Sequence, residues 1–354
     1  MKLIKYLLFL ILLFVIGGAI FFGTKDGKFD VSETIVINAP AEMIYDQVKD
    51  FKNWQNWGPW LQIDPNIQIS QSKKSEGEGA TYSWKSKHEG LGNVSVETKK
   101  VIPLKEINQE ISVKTLLGNS NSEVYWRFEE TEKRGQTKVT WGLKGDPPFL
   151  EKILMSFQKN YIGRGVGILL PKGLSNLNTL VIKKANKFVI NVDGITSYDS
   201  RFYLYLTSAS KITEISSKLS QMLGEVSAFM NDNNLQMKGM PFTIYNEIDA
   251  MNATAIYSTC IPVGNKIITP AGSAVLCGYM PQSTALKTTL KGNYKYLEKA
   301  YYKANEYLIA NSLEAHPTGK MFEVYRNDPG SVPNPADWLT EVYIPIVPLS
   351  NIEN

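Results

Sequence analysis

Histidine and cysteine are scarce in this chain of 354 residues, which has two of each. His88 and His316 lie far apart in sequence from one another and from Cys260 and Cys277, so no ligand set for zinc or iron is recognisable. Neither a metal nor any other cofactor is expected. A block of like charge is missing as well: the net charge of +4 is spread along the chain and leaves no footprint for DNA or RNA. The glycines of Gly-Arg-Gly-Val-Gly at 163–167 have the wrong spacing for a dinucleotide loop and no strand before them. Cys260 and Cys277 sit in short β-like runs either side of a connection from Pro262 to Gly272. Sequence leaves open whether they pair or serve as two small buried hydrophobes, and the second is the expectation.

Apolar residues suffice for two cores, at 43% hydrophobic content against 20% charged. Lys2 and Lys5 precede a charge-free run from Tyr6 to Phe22, near the lower length limit for a spanning helix. A cleaved signal peptide is the rival reading, but the run exceeds a usual h-region, and Gly-Thr-Lys-Asp-Gly follows where a small-residue cleavage site would stand. Residues 1–24 are therefore expected to form an uncleaved transmembrane anchor. A short positive tail held inside leaves the remaining domains on the extracytoplasmic side, in a periplasm if the source is bacterial.

From Phe29 the run Phe-Asp-Val-Ser-Glu-Thr-Ile-Val-Ile reads as a strand, and Pro40 stands at a helix start whose stripe is Ile44, Tyr45 and Val48. Trp54, Trp57 and Trp60 then recur every three residues, a helical turn of indoles that either plugs the core or stacks on a ligand. Strand-like segments follow at 67–71, 80–87, 93–101, 106–115, 123–130 and 137–143, separated by turn signals, as in an antiparallel meander. A helical region closes the domain, with Ile153, Phe157, Tyr161, Leu174, Leu177, Leu180 and Val181 at helical spacing and glycines and Pro171 crowding its middle. This order resembles the START/Bet v 1-like superfamily, also called SRPBCC or polyketide-cyclase-like. Ile-Val-Ile-Asn-Ala-Pro-Ala-Glu at 35–42, Lys-Asn-Trp-Gln-Asn-Trp-Gly-Pro-Trp at 52–60 and Lys-Gly-Leu-Ser-Asn-Leu at 172–177 carry the resemblance. It implies a helix-grip domain over 29–186, a curved sheet wrapped on the long C-terminal helix, with an apolar cavity for a lipid-like ligand and no transferable catalytic set.

Residues 187–200 read as a linker plus the start of a strand, and 201–347 as a second domain built on an internal repeat. Its first copy has strands at 202–207, 242–247 and 253–262 around a helix at 212–231; its second has strands at 285–290, 321–326 and 338–346 around a helix at 294–312. Thr-Ile-Tyr-Asn-Glu-Ile-Asp at 243–249 answers Phe-Glu-Val-Tyr-Arg-Asn-Asp at 322–328, and Tyr-Ser-Thr-Cys-Ile-Pro-Val at 257–263 answers Leu-Thr-Glu-Val-Tyr-Ile-Pro at 339–345. The last strand is apolar on both faces, which makes it central, and Glu341 is its one carboxylate. Lys-Gly-Asn-Tyr at 291–294, Glu-Val-Tyr-Arg-Asn-Asp-Pro at 323–329 and Thr-Glu-Val-Tyr-Ile-Pro at 340–345 resemble the GyrI-like, or AraC-type effector-binding, domains. The overall class is thus α+β, a helix-grip domain followed by a duplicated β-α-β-β domain.

The second resemblance implies a cleft for planar, often cationic molecules, faced by Glu341 among aromatic rings. Candidate rings are Tyr301, Tyr302, Tyr325, Trp338, Tyr343, Tyr205 and Tyr257, of which only two or three are expected to line the cleft. No helix-turn-helix segment accompanies the domain, so regulator activity does not transfer. The expected function is a membrane-anchored, non-enzymatic binding protein that sequesters or senses a small hydrophobic or cationic ligand. The alternatives are a hydrolase of reactive small molecules with Glu341 as base, and a scaffold for a protein partner, recognisable by a closed cleft with Glu341 paired to Lys or Arg.

Overall fold

The computed structural model describes residues 2–23, 27–88, 90–115, 118–133, 135–146, 161–327 and 330–347. The chain divides into two units, Met1–Lys184 and Ala185–Asn354.

Helix α1 (Lys2–Gly23) begins the first unit. The anchor expected for residues 1–24, and with it the single-pass, extracytoplasmic placement of the domains, is overturned: among the described residues no helix is long and apolar enough to cross a membrane.

The rest of the first unit is an antiparallel sheet, a meander from its second strand to its last, with the first strand paired to the last. The strands are β1 (Phe29–Ile37), β2 (Gln68–Gln71), β3 (Thr81–Lys85), β4 (Asn93–Ile102), β5 (Glu106–Thr115), β6 (Gly118–Glu130) and β7 (Thr137–Gly145), in the order β1-β7-β6-β5-β4-β3-β2. Between β1 and β2 lie α2 (Ala41–Lys49), α3 (Phe51–Trp54) and α4 (Trp60–Ile63), and the long helix α5 (Tyr161–Ala185) closes the unit. Leu170, Leu174, Leu177, Val181 and Ala185 give α5 one buried stripe. Ile153 and Phe157, which the spacing assigns to the same helix, lie outside the described residues.

The indoles settle against one another. Trp54, Trp57, Trp60, Trp84, Trp126 and Trp141 are all buried. Trp126 stacks on Trp141 at 4.5 Å and meets Trp57 edge-on at 5.8 Å, while Trp60 stacks on Trp84 at 4.9 Å. Each ring N–H named here finds an acceptor: Trp54 on the Val48 carbonyl, Trp57 on the Gln47 carbonyl, Trp60 on the Tyr82 hydroxyl and Trp126 on Gln109 Oε1. Two glycines make room. A Cβ at Gly58 would overlap the Trp60 ring, and one at Gly173 would overlap Trp141, which brings α5 close to the sheet. The apolar space expected between sheet and helix is thus occupied, around these rings, by the chain's own side chains.

The second unit is an eight-stranded antiparallel sheet, ordered β12-β9-β11-β10-β14-β15-β13-β8. Its strands are β8 (Val189–Tyr198), β9 (Arg201–Lys211), β10 (Phe242–Asp249), β11 (Thr254–Val263), β12 (Leu276–Met280), β13 (Ser283–Lys291), β14 (Phe322–Tyr325) and β15 (Leu339–Pro345), with helices α6 (Ile215–Asp232) and α7 (Leu297–Ala310). The linker expected at 187–200 is instead largely β8, an edge strand on β13. Val189 and Ile195 are apolar yet exposed, and an irregularity at Asp193 puts Ile190 and Val192 against one part of the core and Tyr198 against another, so no single alternation runs along the strand.

The two copies meet at β10 and β14, where Phe242 faces Val324, Thr243 faces Glu323 and Ile244 faces Phe322. This antiparallel register makes Phe242 the counterpart of Phe322 and Thr243 that of Glu323, one residue away from the match read in sequence. The strands beside them slip likewise: Phe242 faces Cys260 and Phe322 faces Tyr343, so Ser258, not Thr259, is the counterpart of Glu341. A slip of one residue exchanges the faces of a strand.

Cys260 and Cys277 are both free thiols. β9 lies between their strands, with Cys260 opposite Tyr205 and Cys277 opposite Leu204. Adjacent β9 residues point to opposite faces, so the two sulfurs cannot meet.

Trp126→Ala is expected to cost about 3–5 kcal/mol, read from urea unfolding followed by far-UV circular dichroism; a loss under about 1 kcal/mol would mean that the rings do not fill this core. Protein never exposed to reductant is expected to give two titratable thiols once unfolded, and a mass deficit of one disulfide would contradict the register.

Candidate functional site

The sheet of the second unit has two unlike faces. Under α6 and α7 lie Leu204, Leu206, Tyr257 and Ile261 on one side and Leu286, Leu290, Val342 and Ile344 on the other. The opposite face carries Phe242, Ile244, Cys260, Phe322, Val324 and Tyr343 in a cluster that includes no helix residue. Each face holds one buried carboxylate.

Glu341 stands on the face without helices, on an internal strand as its apolar neighbours predict. Its charge is already met. Lys287 Nζ lies 2.8 Å from Oε1, Arg326 Nη2 and Nε lie 2.6 and 2.7 Å from Oε2, and the Tyr343 hydroxyl donates to Oε2 at 2.9 Å. Burial pushes this carboxyl up, but the bonds from Arg326, Lys287 and Tyr343 outweigh it and hold the group below its ordinary value. In the first copy the register puts Asn246, Ser258 and Tyr205 where Arg326, Glu341 and Lys287 stand. Asn246 Nδ2 donates to Ser258 Oγ at 2.7 Å, a neutral version of the Arg326–Glu341 pair.

Glu323 stands on the helix-covered face, on the approximate two-fold between the copies. It is 1% exposed. Tyr245 and Tyr301 donate their hydroxyls to Oε1 at 2.9 and 3.0 Å, and Tyr325 donates to Oε2 at 3.0 Å. Among the described residues no Lys, Arg or His forms an ion pair with it. Burial pushes its carboxyl up, and the hydroxyls of Tyr245, Tyr325 and Tyr301 pull it down without cancelling the shift. The three phenols are in turn raised by burial and by the carboxylate, so they remain donors. Thr243, the counterpart of Glu323, lies beside it, and its hydroxyl, 3.1 Å from that of Tyr325, donates to the phenol oxygen while Tyr325 donates to Glu323. Thr288 and Thr340, also buried on this face, have hydroxyls without a hydrogen-bond partner.

The rings singled out in sequence divide between these environments. Tyr301 and Tyr325 bind Glu323; Tyr343 binds Glu341, and Tyr205 packs at the edge of the same face. Tyr257 is buried beneath α6, its hydroxyl 3.3 Å from Ser210 Oγ. Trp338 precedes β15, donates to the Val332 carbonyl at 2.8 Å and lies 4.8 Å from the Tyr294 ring. Tyr302 is 65% exposed on the outer side of α7 and joins neither group. Glu323 and Tyr245 were missed by sequence reasoning. The signal was there in Phe-Glu-Val-Tyr, an acidic residue inside a four-residue strand that is buried throughout.

In the first unit an open groove of about 910 Å³ has Lys28, Asp30, Lys100, Asn108, Glu123 and Lys144 among its lining residues.

Compared with protein families, residues 28–181 match the model described as polyketide cyclase / dehydrase and lipid transport, and residues 211–347 match the GyrI-like small molecule binding domain. No curated protein matches the chain. Among solved structures, the EcmrR C-terminal domain is 15% identical, with 45% of this chain and 98% of that one covered at a TM-score of 0.37. SAV2435 bound to tetraphenylphosphonium is 10% identical, covering 45% and 96% at 0.34. Norcoclaurine synthase from Thalictrum flavum, in complex with dopamine and hydroxybenzaldehyde, is 10% identical, covering 45% and 90% at 0.35. Likenesses this distant carry nothing about function. The two matched segments fall one in each unit, the first similar to the polyketide cyclase / dehydrase and lipid transport family and the second to the GyrI-like small molecule binding domain.

Proposed function

We propose that the second domain binds a planar or cationic organic molecule at Glu323, and that the protein sequesters or senses such a molecule. One observation carries this reading: a carboxylate 1% exposed, ringed by three tyrosines, with no cation paired to it among the described residues. Three neutral donors solvate the charge without cancelling it, and a delocalised cation, weakly hydrated and attracted to aromatic faces, supplies what is missing. Glu341, the carboxylate expected in this role, would first have to shed Lys287 and Arg326. Access to Glu323 requires Tyr245 or Tyr301 to give way, since the group is closed off as it stands. An apolar ligand for the first domain rests on its family alone, because the indoles occupy the interior around them.

The test is titration of the full chain with tetraphenylphosphonium. Glu323→Gln is expected to lose at least ten-fold in affinity, about 1.4 kcal/mol, while Glu341→Gln retains binding; the reverse ranking would return the role to Glu341, and indifference to both changes would sink the proposal. The sign of the pH dependence follows from the raised carboxyl. The folded chain keeps its proton to higher pH than the unfolded chain, so Glu323 withdraws stability as pH rises above the ordinary value of about 4.3. Cation affinity should rise over the same window, and Glu323→Gln should flatten both profiles.

A further inference from the structure

The face without helices has an unmet demand of the opposite sign. Tyr198, the last residue of β8, is 6% exposed, with its ring 4.5 Å from Phe322 and 5.1 Å from Tyr343. Its hydroxyl is buried and has no hydrogen-bond partner. Buried phenol groups usually find one, so an orphan on an ordered ring points to a missing acceptor. The Arg201 guanidinium lies over the same ring, 4.1 Å from its centroid. Its Nε donates to the Asp199 carbonyl at 3.4 Å, and no carboxylate pairs with it among the described residues.

The charges around this point leave room for an anion. Arg326 and Lys287 share Glu341, and Lys287 also lies 3.9 Å from Asp193, which accepts from the Thr289 hydroxyl. Three cations, Arg201 included, thus face two carboxylates. Both guanidinium groups act on the Tyr198 phenol, but burial dominates and pushes it up to about 12, so the hydroxyl is a donor at neutral pH.

We propose that Tyr198 and Arg201 form a site for a planar organic anion, an aromatic carboxylate being the simplest case. The carboxylate accepts from the Tyr198 hydroxyl and from the Arg201 fork, and the ligand ring replaces the guanidinium over Tyr198 as Arg201 swings outward. The site does not rest on the cation reading, since Glu323 lies on the other face of the sheet.

The experiment is isothermal titration of the full chain with 2-naphthoate and, separately, with its neutral isostere 2-naphthamide. The acid is expected to bind at least ten-fold more tightly than the amide. Tyr198→Phe and Arg201→Gln should each cost the acid at least ten-fold, while Glu323→Gln leaves it unchanged. Tyr198→Phe removes only an unpartnered hydroxyl, so its thermal midpoint without ligand should stay level or rise. Equal affinity for acid and amide, no binding of the acid at millimolar concentration, loss in Glu323→Gln, or a lowered midpoint in Tyr198→Phe would each overturn the proposal.

Discussion

The second domain turns on the antiparallel contact of β10 with β14, where Thr243 faces Glu323. A duplicated unit that joins through such a contact has one position on each strand at the axis, where side chains from the two copies become neighbours. The first copy places a hydroxyl there and the second a carboxylate. Burying that carboxylate without a cation is unfavourable, and the tyrosines at 245, 301 and 325 are what make it tolerable. Each comes from a different element, β10, α7 and β14, so the hydrogen bonds that solvate Glu323 also tie both copies and one helix together.

Divergence between the copies gives the sheet its two chemistries. On the face without helices, the first copy keeps Tyr205, Asn246 and Ser258 where the second has Lys287, Arg326 and Glu341. Glu341 is held in structural ion pairs by both Lys287 and Arg326, and the extra positive charge of this trio is offset by Asp193 beside Lys287. A pair of this kind, once buried, is costly to break at one end. The charge left over on each face differs in sign, negative at Glu323 beneath the helices and positive at Arg201 on the other side.

Much of this was legible in the sequence. The meander, the long helix, the repeated β-α-β-β order and the internal position of the last strand all follow from periodicity and turn chemistry. Pairing partners were not legible. Whether Glu341 has Lys287 and Arg326 beside it depends on which residues face one another across β13, β14 and β15, and a match of repeats off by one residue misassigns every face. Tyr198 was hidden for another reason, because the irregularity of edge-strand β8 at Asp193 breaks its periodicity and the segment reads as linker. The apolar run of α1 shows the converse, a composition that suggests a spanning helix where no described helix meets that requirement.

The central claim is that Glu323 is a buried carboxylate awaiting a positive charge, and its own titration tests it most directly. In protein labelled with ¹³C at glutamate side-chain carboxyls, the resonance absent from Glu323→Gln should titrate above the ordinary carboxyl range in the free chain and move down when tetraphenylphosphonium is bound. A Glu323 resonance that titrates at the ordinary value, or one that ignores the cation, would contradict the account.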